Sequence, residues 1–180
     1  MHHYDYVVVG AGSAGSALAS RLSESGKFTV CLLEAGGSDR KFWVQMPLGY
    51  GKVFHDPSVN WRYMTEPEPN LDNQSVYWPR GKVLGGSSSI NAMVWVRGHK
   101  RDYEEWASVA PGWDWNNVQK IFNRIENWDG TSDVSRGMNG PQAVHDVSSD
   151  VHPLTISYLE AASQIGIKTN TDYNGPNMEG

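Results

Sequence analysis

The stretch Tyr6-Val7-Val8-Val9-Gly10-Ala11-Gly12-Ser13-Ala14-Gly15 decides the fold of this 180-residue chain. Its β-branched run ends at a glycine, which predicts a strand buried on both faces, as in a parallel sheet. The glycines that follow have the spacing G-x-G-x-x-G, typical of a turn where a pyrophosphate can approach the backbone. The stretch therefore predicts the first strand and turn of a dinucleotide-binding unit.

The next residues predict a helix and a second strand. The helix is expected from Ser13 to about Ser25, ended by Gly26. Its expected apolar stripe is Ala14, Ala17, Leu18 and Leu22. A strand over 29–33 leads to Glu34, nineteen residues after Gly15, where a ribose-binding carboxylate is expected. Because a carboxylate there repels a 2′-phosphate, we expect FAD or NAD rather than NADP.

A second glycine-rich stretch lies about seventy residues further on: Gly81-Lys82-Val83-Leu84-Gly85-Gly86-Ser87-Ser88-Ser89-Ile90-Asn91. Gly85 and Gly86 carry no side chain, so a flat ring system can lie against their backbone. The serines offer hydroxyl groups for pyrophosphate or ring heteroatoms. The plain alternative is a flexible linker, but the apolar run that follows, from Ile90 to Trp95, argues against it.

Together the two motifs resemble the glucose–methanol–choline (GMC) oxidoreductases, and within them the choline dehydrogenase-like bacterial alcohol dehydrogenases. The first motif with Glu34-Ala35-Gly36 resembles the family's FAD fingerprint, and residues 81–98 resemble its first signature. Asn60-Trp61-Arg62-Tyr63 and Trp113-Asp114-Trp115 are also similar to family members. The resemblance covers essentially the whole chain.

The resemblance implies the residues that bind FAD. Those expected at the pyrophosphate are Gly10, Gly12, Ser13, Ala14 and Gly15. Glu34 is expected at the adenosine ribose, and Ala35 and Trp61 also belong to the cofactor-binding set. Those expected around the flavin half are Val83, Gly86, Ser87, Asn91, Ala92, Met93 and Val94. Some members link FAD covalently to a histidine just before the asparagine; Ile90 stands there, so non-covalent FAD is implied.

The expected fold class is α/β: a Rossmann-type FAD-binding domain, incomplete in this chain, with the start of a second, substrate-binding α+β domain. Residues 1–37 would be the first βαβ unit, 38–100 an extended FAD-covering segment, and 101–180 helical segments leading towards the substrate domain. Helices are predicted near 102–106, over 116–126 and from Pro153, with a weak strand over 143–147 and little regular structure over 38–97.

No catalytic residue is assigned. The family's C-terminal His-Pro-x-Gly-Thr motif is absent, and His152-Pro153-Leu154-Thr155 lacks its glycine and lies too early. We therefore expect the remainder of the enzyme after residue 180, and expect these residues alone to be inactive and poorly stable.

The resemblance implies oxidation of a primary alcohol to an aldehyde by hydride transfer to FAD, with a quinone or oxygen as electron acceptor. The remaining C-terminal part of the same enzyme is the expected partner. Two alternatives stay open: a relative with different flavin chemistry, such as a photodecarboxylase, and a non-catalytic FAD-binding module. The particular alcohol, the choice between oxidase and dehydrogenase, and the oligomeric state are not readable from the sequence.

Composition narrows the remaining possibilities. A net charge of −5 argues against nucleic-acid binding, and the cluster of Arg97, His99, Lys100 and Arg101 is interpreted as a solvated face. Cys31 is the single cysteine and is expected to be buried. The histidines lack metal-ligand spacing, so no metal site is predicted. Without an apolar signal or membrane-spanning stretch we expect a cytoplasmic protein, while weak membrane association stays open.

Overall fold

The computed structural model describes residues 2–131 and 134–179. Backbone contacts divide the chain into two compact units, residues 1–94 and 95–180. The first unit contains β1 (Tyr6–Val9), α1 (Ser13–Ser23), β2 (Val30–Leu33), α2 (Phe42–Gln45), α3 (Tyr50–Val53), β3 (Tyr63–Met64) and β4 (Tyr77–Trp78). The second contains α4 (Lys100–Ala107), α5 (Trp115–Ile125), β5 (Glu126–Trp128), β6 (Gln142–Val144) and α6 (Pro153–Gln164).

The expected strand–helix–strand unit is present at the N-terminus. β1 and β2 pair in parallel from Tyr6↔Val30 to Val9↔Leu33, and α1 is the crossover that parallel strands require. The Gly10 N–H donates to the Leu33 carbonyl at 2.7 Å, which continues the pairing into the glycine turn. Glu34 is thereby brought beside that turn.

The prediction that β1 is buried on both faces is wrong for this chain. Val8 is buried, but Val7 is 58% exposed and Val9 is 81% exposed. Within the described residues β1 pairs only with β2, and that two-stranded sheet has α1 against it. The other face therefore stays open to solvent, and Cys31 on β2 is half-buried rather than buried.

The predicted apolar stripe of α1 is also wrong. Ala14, Ala17 and Leu18 are exposed, whereas Ala19 is the buried residue of the helix. The helix lies close to the sheet because Gly15 has no side chain: a Cβ there would overlap the Gly10 carbonyl and lie 3.4 Å from a Val8 methyl group. The position of Gly15, and not the predicted apolar stripe, determines which face of α1 packs on the sheet.

Residues 38–94 contain only short elements, as predicted. β3 and β4 pair antiparallel over two residues each, and 3₁₀ turns cover Pro47–Gly49, Pro69–Leu71 and Gly86–Ser89. The segment forms its own small core from Val53, Val59, Val83 and Ile90, with Val44 packed against it. The second glycine motif is therefore anchored by burying its own apolar residues.

Asn60 joins three parts of this segment. It is buried, and its amide nitrogen donates to the carbonyls of Phe54 at 2.9 Å and Val53 at 3.4 Å. Its amide oxygen accepts from the backbone N–H groups of Arg62 at 2.9 Å and Arg80 at 3.0 Å. One buried side chain thus forms hydrogen bonds with backbone groups from three parts of the segment, as buried polar groups require.

The helices of the second unit lie within about two residues of their predicted bounds, while β6 ends at Val144 instead of extending to 147. Aromatic rings pack α4 on α5, with Tyr103 beside Trp115 and Phe122. His152 caps α6, since its Nδ1 accepts from the Leu154 N–H at 3.2 Å. Among the described residues, no helix is both long and apolar enough to cross a bilayer.

Arg97 does not belong to a solvated face, so that interpretation is wrong. Its side chain is buried and pairs with the buried Glu126. Arg136 pairs with the other oxygen of Glu126 at 2.6 Å and with Asp172 at 2.7 Å. Charges seldom enter a protein interior unless they are paired, and here two arginines and two carboxylates compensate one another.

Candidate dinucleotide-binding site

A groove of about 850 Å³ in the first unit is lined by both glycine motifs. Ten of the residues predicted to bind cofactor line it: Gly10, Gly12, Ser13, Ala14, Gly15, Glu34, Ala35, Trp61, Gly86 and Ser87. The groove therefore brings together residues that are up to 77 positions apart in the sequence.

The N-terminus of α1 opens into this groove. Gly12 is the N-cap residue, and no side chain of the described residues caps that end. The N–H groups of the first helical turn have no partner inside the helix, and they carry the positive end of the helix dipole. Together they form a site suited to a phosphate group.

The two glycine motifs meet backbone to backbone. The Gly85 N–H donates to the Ala11 carbonyl at 2.8 Å, and Gly12 and Gly85 form a parallel bridge. A Cβ added to Gly86 would lie 2.7 Å from the Cα of Gly12. Such an approach requires glycine at position 86, where φ is also positive at 59°. The second motif thus forms one wall of the turn that the first motif begins.

Glu34 is held in place by backbone donors. One carboxylate oxygen accepts from the Ala11 N–H at 2.7 Å and the other from the Gly36 N–H at 2.8 Å. Each carboxylate oxygen can accept more than one hydrogen bond, so both still have acceptor capacity towards the groove. The contacts fix the carboxylate beside the glycine turn, as expected for a ribose-binding group.

An aromatic wall completes the groove. The Trp61 and Tyr63 rings stack 5.8 Å apart with planes 7° from parallel, and the Lys82 ammonium lies 4.5 Å from the Trp61 ring centroid. Sequence reasoning missed five lining residues, namely Val9, Leu33, Tyr63, Arg80 and Gly81. Arg62, between Trp61 and Tyr63, has a left-handed φ of 58°, so the alternation of an extended chain does not predict that these two rings stack.

The other predicted flavin-binding residues lie outside this groove. Asn91 and Met93 line a second cavity of about 190 Å³. There the Asn91 amide oxygen accepts from the Met93 N–H at 2.9 Å and Met93 has a φ of 60°. The Val83 side chain is fully buried in the core, so only its backbone is available to a ligand. Ala92 and Val94 are exposed and line neither cavity.

No three His, Cys, Asp or Glu side chains come together as a potential metal site in residues 2–131 and 134–179. The groove offers the open helix terminus, the Glu34 carboxylate, aromatic rings and an arginine side chain. These are features of a dinucleotide-binding protein.

Comparison with known proteins narrows this class to one family. Residues 4–180 match the GMC oxidoreductase family, and the chain belongs to it. It is 45% identical over 179 residues to an oxygen-dependent choline dehydrogenase of Photobacterium profundum, covering 98% of this chain and 32% of that protein. It is 43% identical over 179 residues to an alcohol dehydrogenase [acceptor] of Pseudomonas putida, with the same coverage.

The fold is also that of a solved GMC-type enzyme. The crystal structure of pyridoxine 4-oxidase from Mesorbium loti superimposes with a TM-score of 0.84 at 33% identity, over 92% of this chain and 33% of that one. The chain thus spans about a third of the length of the relatives that it matches.

Proposed function

We propose that this chain is the FAD-binding N-terminal part of an oxidoreductase that oxidises a primary alcohol to an aldehyde. The observation that carries the proposal is the groove in which both glycine motifs of the family meet around the open N-terminus of α1. The names of the relatives, a choline dehydrogenase and an alcohol dehydrogenase, support an alcohol as the substrate class.

The groove's residues fit FAD. A Cβ on Gly15 or Gly86 would overlap nearby backbone. Because both residues lack a side chain, a diphosphate can approach the backbone of the turn. Glu34 retains acceptor capacity for ribose hydroxyls, and Trp61 and Tyr63 offer flat surfaces to ring systems. When bound, FAD supplies the hydride-accepting ring of the reaction. The residues of this chain hold and orient it.

We propose that the FAD is non-covalent. Ile90 occupies the position at which some relatives carry the linking histidine, and it is only 3% exposed. Its side chain packs with Val53, Val59 and Val83 and offers no nucleophilic atom. Position 90 therefore lacks the group that would form the bond.

The finer architecture belongs to the same proposal. β1, α1 and β2 would begin a Rossmann-type domain, and the second unit would begin a substrate-binding α+β domain. The alcohol proton would be removed by a histidine outside these 180 residues, while a quinone or oxygen would reoxidise the flavin. We propose a cytoplasmic location for the enzyme.

The visible absorption spectrum of the complete expressed protein tests the proposal. We expect the spectrum of an oxidised flavin, bleached under anaerobic conditions by choline or by a simple primary alcohol such as benzyl alcohol. A folded protein without flavin would contradict the cofactor assignment. Light-dependent release of carbon dioxide from a fatty acid, by a flavin that none of the alcohols bleaches, would contradict alcohol oxidation and indicate decarboxylation.

The same spectrum of the 180-residue chain separates binding from catalysis. We expect this chain alone to show no alcohol-dependent bleaching, because none of its residues is assigned to proton removal. Alcohol turnover by these residues alone would show that the catalytic base lies within them.

A further inference from the structure

Arg80 occupies a distinctive place in the groove. Of the residues that line it in the described part of the chain, Arg80 alone carries a positive side chain and Glu34 alone a negative one. Arg80 lies just before the second glycine motif and is not among the residues that the family resemblance assigns to the cofactor.

The backbone of Arg80 is fixed from both sides. Its N–H donates to the buried Asn60 amide oxygen at 3.0 Å, and its carbonyl accepts from the Trp61 N–H at 2.8 Å. The groove wall therefore presents this residue at a defined position.

The Arg80 side chain is oriented but not neutralised. Its Nη1 donates to the Pro79 carbonyl at 2.7 Å, and the guanidinium lies 4.9 Å from the Trp78 ring centroid. No carboxylate of the described residues lies within salt-bridge distance of it. Since a guanidinium has five N–H donors, most of them remain available to an anion.

An anion in this groove needs such a cation. The N-terminus of α1 offers a diphosphate neutral N–H groups and the partial charge of the helix dipole, about half an elementary charge. Lys82 does not line the groove, and its ammonium lies 4.5 Å from the Trp61 ring centroid. The carboxylate of Glu34 has the same sign as the phosphates and opposes them. An arginine provides a full positive charge and a planar pair of donors that matches phosphate oxygens.

We propose that Arg80 binds the diphosphate of the dinucleotide, opposite the first turn of α1. The inference rests on the proposed function, because it assumes that the groove holds a dinucleotide. Arg80 is then the group that gives the site its preference for a diphosphate-bearing ligand over the corresponding nucleoside.

Binding of three probes to flavin-free complete protein tests this assignment. The probes are FAD, ADP and adenosine, and the readout is the dissociation constant by calorimetry. The variants are Arg80→Gln, which removes the charge, and Arg80→Lys, which keeps it. The matched control is Arg40→Gln, since Arg40 is exposed in the same unit and lines neither cavity. Circular dichroism of each variant confirms its fold.

We expect Arg80→Gln to weaken FAD and ADP by about ten- to a hundredfold, the range of a charge-assisted hydrogen bond, while adenosine changes less than about twofold. Arg80→Lys should recover part of the loss, and Arg40→Gln should change nothing. The wild-type affinity for ADP should also fall more steeply with salt than that of Arg80→Gln.

Two results would overturn the assignment. In one, Arg80→Gln binds ADP as well as the wild type does; in the other, it loses adenosine by the same factor as ADP, which would mean that Arg80 only shapes the wall. A wild type that binds ADP but not FAD would refute the proposed cofactor. The ratio of the ADP affinity to the adenosine affinity, compared between the wild type and Arg80→Gln, would still decide the role of Arg80.

Discussion

Gly12 and Gly86 touch asymmetrically. A Cβ on Gly86 would lie 2.7 Å from the Gly12 Cα, whereas a Cβ on Gly12 would lie 3.8 Å from the Gly86 Cα. The first distance is a clash and the second an ordinary contact. Gly86 also has a positive φ, but the φ of Gly12 is −78°. The two glycines therefore have different roles. Gly86 is required by the fold, whereas the missing side chain of Gly12 leaves its backbone accessible from the groove.

Alanine at each position should separate these roles. We expect Gly86→Ala to lower the free energy of unfolding by about 2–4 kcal/mol, from the clash and the left-handed backbone. Gly12→Ala should cost less than about 1 kcal/mol and yet abolish FAD binding, because its methyl group covers backbone that the diphosphate approaches. Urea unfolding and flavin content measure the two effects. Equal destabilisation by both would contradict this interpretation.

Asn60 should be a major contributor to stability. Asn60→Ala leaves the N–H groups of Arg62 and Arg80 without their acceptor. The carbonyls of Val53 and Phe54 lose one donor each but keep Asp56 and Tyr77. The expected cost is about 3 kcal/mol. The control is Asn70→Ala, whose exposed amide bonds only to Glu68 and should cost less than about 0.5 kcal/mol. Chemical denaturation compares the two. A loss below about 1 kcal/mol for Asn60→Ala would show that water replaces the amide.

Removing the charge of Glu126 should destabilise the second unit. Glu126→Gln removes the carboxylate that pairs with the buried Arg97 and Arg136. Because breaking a buried ion pair leaves an uncompensated charge, the free energy of unfolding should fall by about 3–5 kcal/mol. Glu104→Gln, at an exposed position of α4, is the control and should be nearly neutral. Thermal unfolding measures the difference. A Glu126→Gln protein as stable as the wild type would mean that the arginines find other partners.

Acid should reduce the contribution of Glu126. Burial by itself raises the pKa of Glu126, but hydrogen bonds from Arg136 and Gly137 and the charges of both arginines outweigh it, so the pKa is lowered from 4.5. A carboxylate whose pKa is lower in the folded state stabilises the protein fully at pH values above its unfolded-state pKa. This stabilisation is lost as the pH falls through the folded-state pKa.

The wild type and Glu126→Gln should therefore differ most in their free energy of unfolding at about pH 6, and this difference should become smaller below about pH 4.5. Unfolding free energies of both proteins across this range measure it. A gap that widens in acid would show the opposite sign of the pKa shift.

Acid precipitation tests the non-covalent attachment of the flavin. With Ile90 buried at the position of the linking histidine, all flavin should remain in the supernatant when the protein precipitates. A pellet that keeps its yellow colour after washing would show a covalent bond to another residue of the protein.

The sequence predicted those features that depend on short-range patterns. The parallel pair with its crossover helix and the bounds of α5 follow from glycine spacing and apolar periodicity over a few residues. The ten groove residues were implied by the family resemblance, and their binding role stays a prediction. Glu34 lies beside the turn because a single helix and strand separate it from Gly15, and its ribose-binding role stays a prediction.

The wrong predictions concern partners that lie far away in the sequence. Arg97 is buried because Glu126, 29 residues further on, pairs with it, and nothing near Arg97 indicates this partner. The Val83 side chain packs in the core with Val53 and Val59, while the binding role of its backbone stays a prediction. Arg80 was missed because an arginine in a loop has no periodicity that marks it as part of a groove.

The open face of the β1–β2 pair has a consequence for handling this chain. Val7, Val9 and Leu33 present apolar side chains to water on that face, and the outer edges of both strands have no paired strand among the described residues. Unpaired strand edges of this kind can bind further strands. Another copy of the chain can occupy them, so the fraction of soluble chain should fall as its concentration rises.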